Sequence, residues 1–174
     1  MKHFVKYFVV TLTLLFCTYA YSEQKVVVLD MKYILNNSKA GKQAQDFLKS
    51  TFEKNQKDFL NREKDLKKDE KELLDKKDTL SKEDYKKLSD ELRKKVIKYQ
   101  ADRRSSLDKI AKQRADARKK LVDKVTPIVQ NYIKENNVSV VIDKKYVVGG
   151  NKELDITTII TDKLNKELPS LKLQ

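Results

Sequence analysis

The chain has no tryptophan, one cysteine, one histidine, two prolines and three glycines in 174 residues. The histidine and cysteine are His3 and Cys17, both near the start. Beyond residue 17, therefore, no side chain can act as a thiol or imidazole nucleophile, an imidazole base, or a His/Cys metal ligand. No disulfide can staple the fold, so packing or association must hold it. Three glycines are too few for a glycine-rich phosphate loop. These gaps set aside most enzyme classes. The acidic pairs Asp69/Glu70 and Asp90/Glu91 sit among lysines, where they read as solvated, ion-paired helix faces. No catalytic, metal or cofactor-binding residue is assigned, and the chain is read as a non-enzyme.

Charge is what the sequence has in abundance. Charged residues make up 37% of the chain, and 39 basic against 26 acidic residues give a net charge of +13. Few breakers, many charges and a helical apolar period describe long helices rather than a compact globule. The same charge fraction is compatible with disorder, but the regular apolar thread described below opposes that. A basic surface favours acidic partners: nucleic acid, anionic lipid or acidic polypeptide.

The compartment narrows that choice. Residues 1–6 carry Lys2 and Lys6, residues 7–16 are apolar, and small or polar residues follow to Ser22. This is the pattern of a secretory signal peptide, too short for a comfortable membrane span. Cleavage is expected after Ser22, with Ala20 as the other site. An uncleaved amphipathic anchor is the rival reading. A lipoprotein at Cys17 is opposed by the bulk of Phe16. Cleavage removes His3, Cys17 and two of the 39 basic residues, leaving 37 basic against 26 acidic, or +11.

The rest of the chain is organised by residues 41–136. Phe52, Phe59, Leu66, Leu73 and Leu80 recur at seven-residue spacing, the mark of helices lying side by side in a left-handed supercoil. Residues 78–84 read as a tip, with Ser81 and Asp84 as an approximate capping box. A second stripe follows through Tyr85, Leu88, Leu92, Val96, Tyr99, Leu107, Ile110, Ala117, Leu121 and Val125. If the chain reverses near residue 80, antiparallel partners have numbers adding to about 161. Leu73 then faces Leu88, Leu66 faces Val96, Phe52 faces Ile110 and Ala44 faces Ala117. Phe59 faces the region of Asp102 and Arg103, with Tyr99 nearby. An arm of about 35–40 residues would project roughly 50–60 Å. Pro127 is expected to bend or restart the descending helix.

The two ends form a base. Residues 25–30 (KVVVLD) and 138–143 (VSVVID) read as short buried strands, and 146–148 as a third. Residues 31–37 read as a short helical or irregular turn. Ser38 is a candidate helix N-cap, with Gly41 marking close packing. Asn136 and Asn137 end the hairpin. Asp155 is expected to cap a last helix with an apolar face of Ile156, Ile159, Ile160, Leu164 and Leu168, stopped by Pro169. The expected organisation is a signal peptide over 1–22, body over 23–40, arm over 41–136 and body again over 137–174. This is an α+β fold: a long antiparallel helical hairpin projecting from a small β-rich oligomerisation body with a C-terminal helix. One copy of the body is too small for a solid core, and its strand edges need partners. Strands from several chains are expected to share one sheet or barrel, through Val26, Val27, Val28, Leu29, Val140, Val141, Ile142, Ile159 and Ile160.

With these residues in view, the chain resembles the Skp/OmpH family of periplasmic chaperones. The resemblance is carried by KVVVLDMKYILNNSKAGKQAQ at 25–45, the long charged middle, and VSVVIDKKYVVGGNKELDITTIITDKL at 138–164. It implies a homotrimer shaped like a jellyfish, three helical tentacles around a cavity, and unfolded outer-membrane proteins as clients. No lipopolysaccharide-binding site is carried over from it, since no short motif here matches one.

The function expected is an ATP-independent periplasmic holdase. Unfolded barrel strands expose alternating apolar faces and must be kept apart. Candidate client contacts on the arm are Phe52, Phe59, Leu66, Leu73, Leu88, Leu92, Val96 and Tyr99. The competing reading makes Phe52, Phe59 and Leu66 the seam between the two helices. Lysines would attract acidic clients and the anionic membrane surface. Many weak contacts would hold a client yet release it without fuel. A histone-like nucleic-acid binder is opposed by the signal peptide and the interspersed acids. A basic coiled-coil envelope spacer is the remaining alternative.

Overall fold

The computed structural model describes residues 24–173. The signal peptide expected over 1–22, with His3 and Cys17, lies outside the described residues. Strand β1 (Lys25–Leu29) leads into helix α1 (Met31–Asn37), then α2 (Lys39–Asp75) and α3 (Lys82–Glu135). Strand β2 (Val138–Asp143) and two 3-10 turns, Lys144–Tyr146 and Lys152–Leu154, precede helix α4 (Thr157–Glu167).

Each helix start has a local chemical cause. Asp30 accepts from the Tyr33 amide at 2.7 Å and opens α1. Buried Ser38 accepts from the Gly41 amide at 3.2 Å and opens α2. Ser81 accepts from the Asp84 amide at 3.1 Å and donates to its carboxylate at 2.7 Å, so the reciprocal cap opens α3. These bonds satisfy amides that the first helical turn leaves without partners. Asn136 caps the far end of α3, and Asn137 takes a left-handed φ of 50°.

Two expectations are corrected. Pro127 does not restart α3, which is continuous through it. Val125 and Ile128, on either side, are buried in one cluster and hold the backbone helical across the missing donor. Residues 146–148 form no strand: Tyr146 ends a 3-10 turn and Val148 is fully exposed. Within the chain, the second neighbour of β1 is instead a single bridge from Val28 to Asp155. Helix α4 begins one residue later than expected. Its N-cap is Ile156, while the Asp155 carboxylate still accepts from the Thr157 amide at 2.9 Å.

The sheet has two strands, β1 and β2, paired in parallel with Val26 opposite Val140 and Val28 opposite Ile142. The entire hairpin is the crossover between them. One face of the sheet carries Val27, Leu29 and Val138 into a core with Ile34, Val125, Ile128, Tyr132, Ile156, Ile160 and Leu164. A second cluster at the root of the hairpin joins Leu35, Ala40, Ala44, Ala117, Leu121 and Leu171.

Candidate functional site: the hairpin seam and the outer face of the sheet

At the hairpin root the small residues Ala40 and Ala44 of α2 and Ala117 of α3 share one buried cluster. A Cβ on Gly41 would lie 2.1 Å from the Leu35 carbonyl oxygen, so only glycine fits there. Ala40, Ala44, Leu48, Ala117 and Leu121 are all buried.

Further out the seam opens. Phe52 is 43% exposed and Leu88 39% exposed. Phe59, Leu66, Leu73, Leu92 and Val96 are half-buried, and Tyr99 is buried. Phe52, Phe59, Tyr99, Leu107 and Ile110 line a cleft of about 150 Å³ between the helices. Phe59 and Tyr99 meet edge to face, with ring centroids 5.9 Å apart. That geometry suits the opposite charge of ring edge and ring face. The guanidinium of Arg62 lies 5.3 Å from the Phe59 centroid and 5.8 Å from that of Tyr99.

Polar ties across the hairpin fix its register. Arg62 pairs with Asp102 at 2.8 Å, Lys95 with Asp69 at 2.7 Å, and Asn55 donates to Ser106 at 2.8 Å. The hydrogen bond from Arg62 holds the Asp102 carboxyl below its usual range. In the same way the Asp69 hydrogen bond raises Lys95, and the Glu63 hydrogen bond raises Lys67. In the body, burial alone would raise Asp155. Hydrogen bonds from Lys144 and Thr157 outweigh it and leave the carboxyl lowered.

The pairings expected along the seam bring together Leu73 with Leu88 and Phe52 with Ile110 along shared clefts, and Ala44 with Ala117 in one cluster. The apolar stripe could not indicate Arg62, Asn55 and Ser106, and the reversal near residue 80 gives Asp102 only as lying opposite Phe59. The signal for Arg62 is that it follows Phe59 by three positions, on the same helix face.

In the body the structure divides the nine strand and helix residues. Val27, Leu29 and Ile160 are consumed by the chain's own core. Val28 and Val141 are half-buried, while Val26, Val140, Ile142 and Ile159 are exposed. The alternation of β1 and β2 thus leaves an apolar outer face on the sheet.

Among the described residues no group of three or more His, Cys, Asp or Glu side chains is placed to hold a metal ion. No helix there is long and apolar enough to cross a membrane.

A long antiparallel helical hairpin, seated on a parallel strand pair and closed by a short C-terminal helix, defines an arm-and-body class of protein. The family model described as outer membrane protein (OmpH-like) matches residues 25–164, and the chain belongs to that family. It is similar to the Skp-like protein of Pseudomonas aeruginosa, 25% identical over 166 residues, covering 95% of this chain and 99% of that protein. Its fold is similar to that of an OmpH-like candidate outer membrane chaperone from Caulobacter crescentus CB15. That likeness has a TM-score of 0.80 and 18% identity, over 90% of this chain and 93% of the other.

Proposed function

We propose that this protein is an ATP-independent holdase of the periplasm. It binds unfolded outer-membrane proteins and keeps them from aggregating. Membership of the OmpH-like family sets the class. The observation that carries the finer reading is the opening of the seam towards the tip. A hairpin built only as a spacer would bury its apolar stripe, whereas this one leaves Phe52, Leu88 and Leu107 between 39% and 49% exposed. Scattered, half-wet apolar groups give weak contacts without direction, which suit a client with no fixed shape. The surrounding lysines add long-range attraction to acidic clients and to an anionic membrane surface.

The working unit in this reading is a homotrimer. Val26, Val140 and Ile142 on the outer sheet face, and the open edge of β2, support association through the body. No catalytic step is involved, and client release follows from the weakness of each contact.

The test uses a urea-unfolded outer-membrane barrel protein, diluted with and without the purified mature chain. Suppressed light scattering, with a complex of three chains and one client by mass, is the expected result. Unchanged scattering across a range of salt overturns the holdase reading and favours an envelope spacer.

A further inference from the structure

Helix α4 ends at Glu167, and the following segment is neither helix nor strand. It runs back over the root of the hairpin. Leu171 is buried in the cluster formed by Leu35 of α1, Ala40 and Ala44 of α2, and Ala117 and Leu121 of α3. Leu173 packs against the same cluster. Leu168, next to the end of α4, packs against it as well. The Leu171 amide donates to the Gln43 side chain at 3.1 Å, so the groove also engages the backbone of its occupant. The match to the OmpH-like family ends at residue 164, and this tail lies beyond it.

The occupant defines the ligand chemistry. The site takes a non-helical segment with closely spaced apolar side chains, Leu168, Leu171 and Leu173, and the Gln43 side chain meets its main chain. An unpaired barrel strand offers the same two things, apolar side chains and free main-chain groups. We propose that this site at the hairpin root is a docking site for such a client segment, and that the chain's own tail is a built-in competitor for it. That the client is an outer-membrane strand rests on the holdase reading above; the competition does not.

The test compares the full chain with its L171D/L173D variant, which frees the groove without shortening the protein. The probe is a fluorescein-labelled peptide of residues 167–174, followed by anisotropy. A tail that fills the groove nine-tenths of the time lowers apparent affinity about tenfold, so the variant should bind the probe about tenfold more tightly. The same peptide carrying Leu171→Ser and Leu173→Ser should bind neither chain. An unlabelled peptide of about ten residues with strand-like alternation should displace the probe. Equal probe affinity for both chains overturns the inference, and so does failure of the strand peptide to displace. If circular dichroism finds the double variant unfolded, Leu171→Ala replaces it, with a smaller gain of about threefold. The scattering assay run on both chains separates the two claims. A client held equally by both, with no difference in probe binding, ends the tail proposal and leaves the holdase standing. Probe binding without any suppression of scattering does the reverse.

Discussion

Gly41 has no room for a side chain. The clash an added Cβ would make is with backbone, which cannot swing aside. Gly41→Ala should therefore cost roughly 1–3 kcal/mol, as overpacking of a tight site does, read as a lower urea midpoint at unchanged slope. Phe52 and Tyr99 separate two roles on one cleft. Tyr99 is buried against Phe59 and Arg62, so Tyr99→Ala should destabilise the hairpin by about 3 kcal/mol or more. Phe52 is 43% exposed. Phe52→Ser should leave the melting curve nearly in place and weaken client binding in a titration. Equal losses in both measurements would assign Phe52 to the seam. Asp102 sets a pH limit. Its carboxyl is lowered by the Arg62 hydrogen bond, so its contribution is complete above the ordinary aspartate value of about 3.9 and is lost as pH falls through the lowered one. Stability owed to this tie should be flat from pH 5 to 8 and decline only in acid. In Asp102→Asn that part of the acid decline should be missing from pH-dependent urea titrations.

Helix α3 runs through Pro127 although proline withholds one amide and crowds the preceding turn. The backbone is already helical there and Pro127 itself is exposed. Pro127→Ala should raise stability by about 1–3 kcal/mol, since alanine restores the missing donor without moving a neighbour. A drop in the thermal midpoint would mean that the ring holds a bend the body needs. Proline is a reliable sign of interruption only where nothing on either side holds the helix. Here Val125 and Ile128 are buried on the same core, and no local rule contains that fact. The hairpin itself was legible because a seven-residue repeat survives any substitution on the charged faces. Its turn was legible because Ser81 and Asp84 form a local cap. The strand read over 146–148 has the right composition, but a strand exists only with a neighbour, and no neighbour reaches it within one chain. Of the candidate surface, the apolar stripe could be read directly. The Arg62–Asp102 tie could be read only by half: the reversal put Asp102 opposite Phe59, but Arg62 lies outside the repeat. The tail was read as a stop at Pro169, since a contact with α2 some 128 positions away leaves no periodic trace.

Over the whole molecule, the apolar outer face of the sheet is the feature that a single chain leaves unfinished. Replacing Val140 and Ile142 by lysine should keep the helical circular dichroism and reduce the mass found by sedimentation equilibrium, because both side chains point away from the core. An unchanged mass would move the association surface elsewhere. The pairing of β1 with β2 also has a consequence in time. Val26 finds Val140 only after more than a hundred intervening residues exist. Such distant closure is slow when the loop between is slack, but α2 and α3 are built from neighbouring contacts and carry the two ends back to one place. During synthesis the arm is thus complete while the body is still waiting for its second strand. Until residue 138 has emerged, β1 is an unpaired valine ribbon, and the protein is for that interval the same kind of sticky, unfinished chain that we propose it protects.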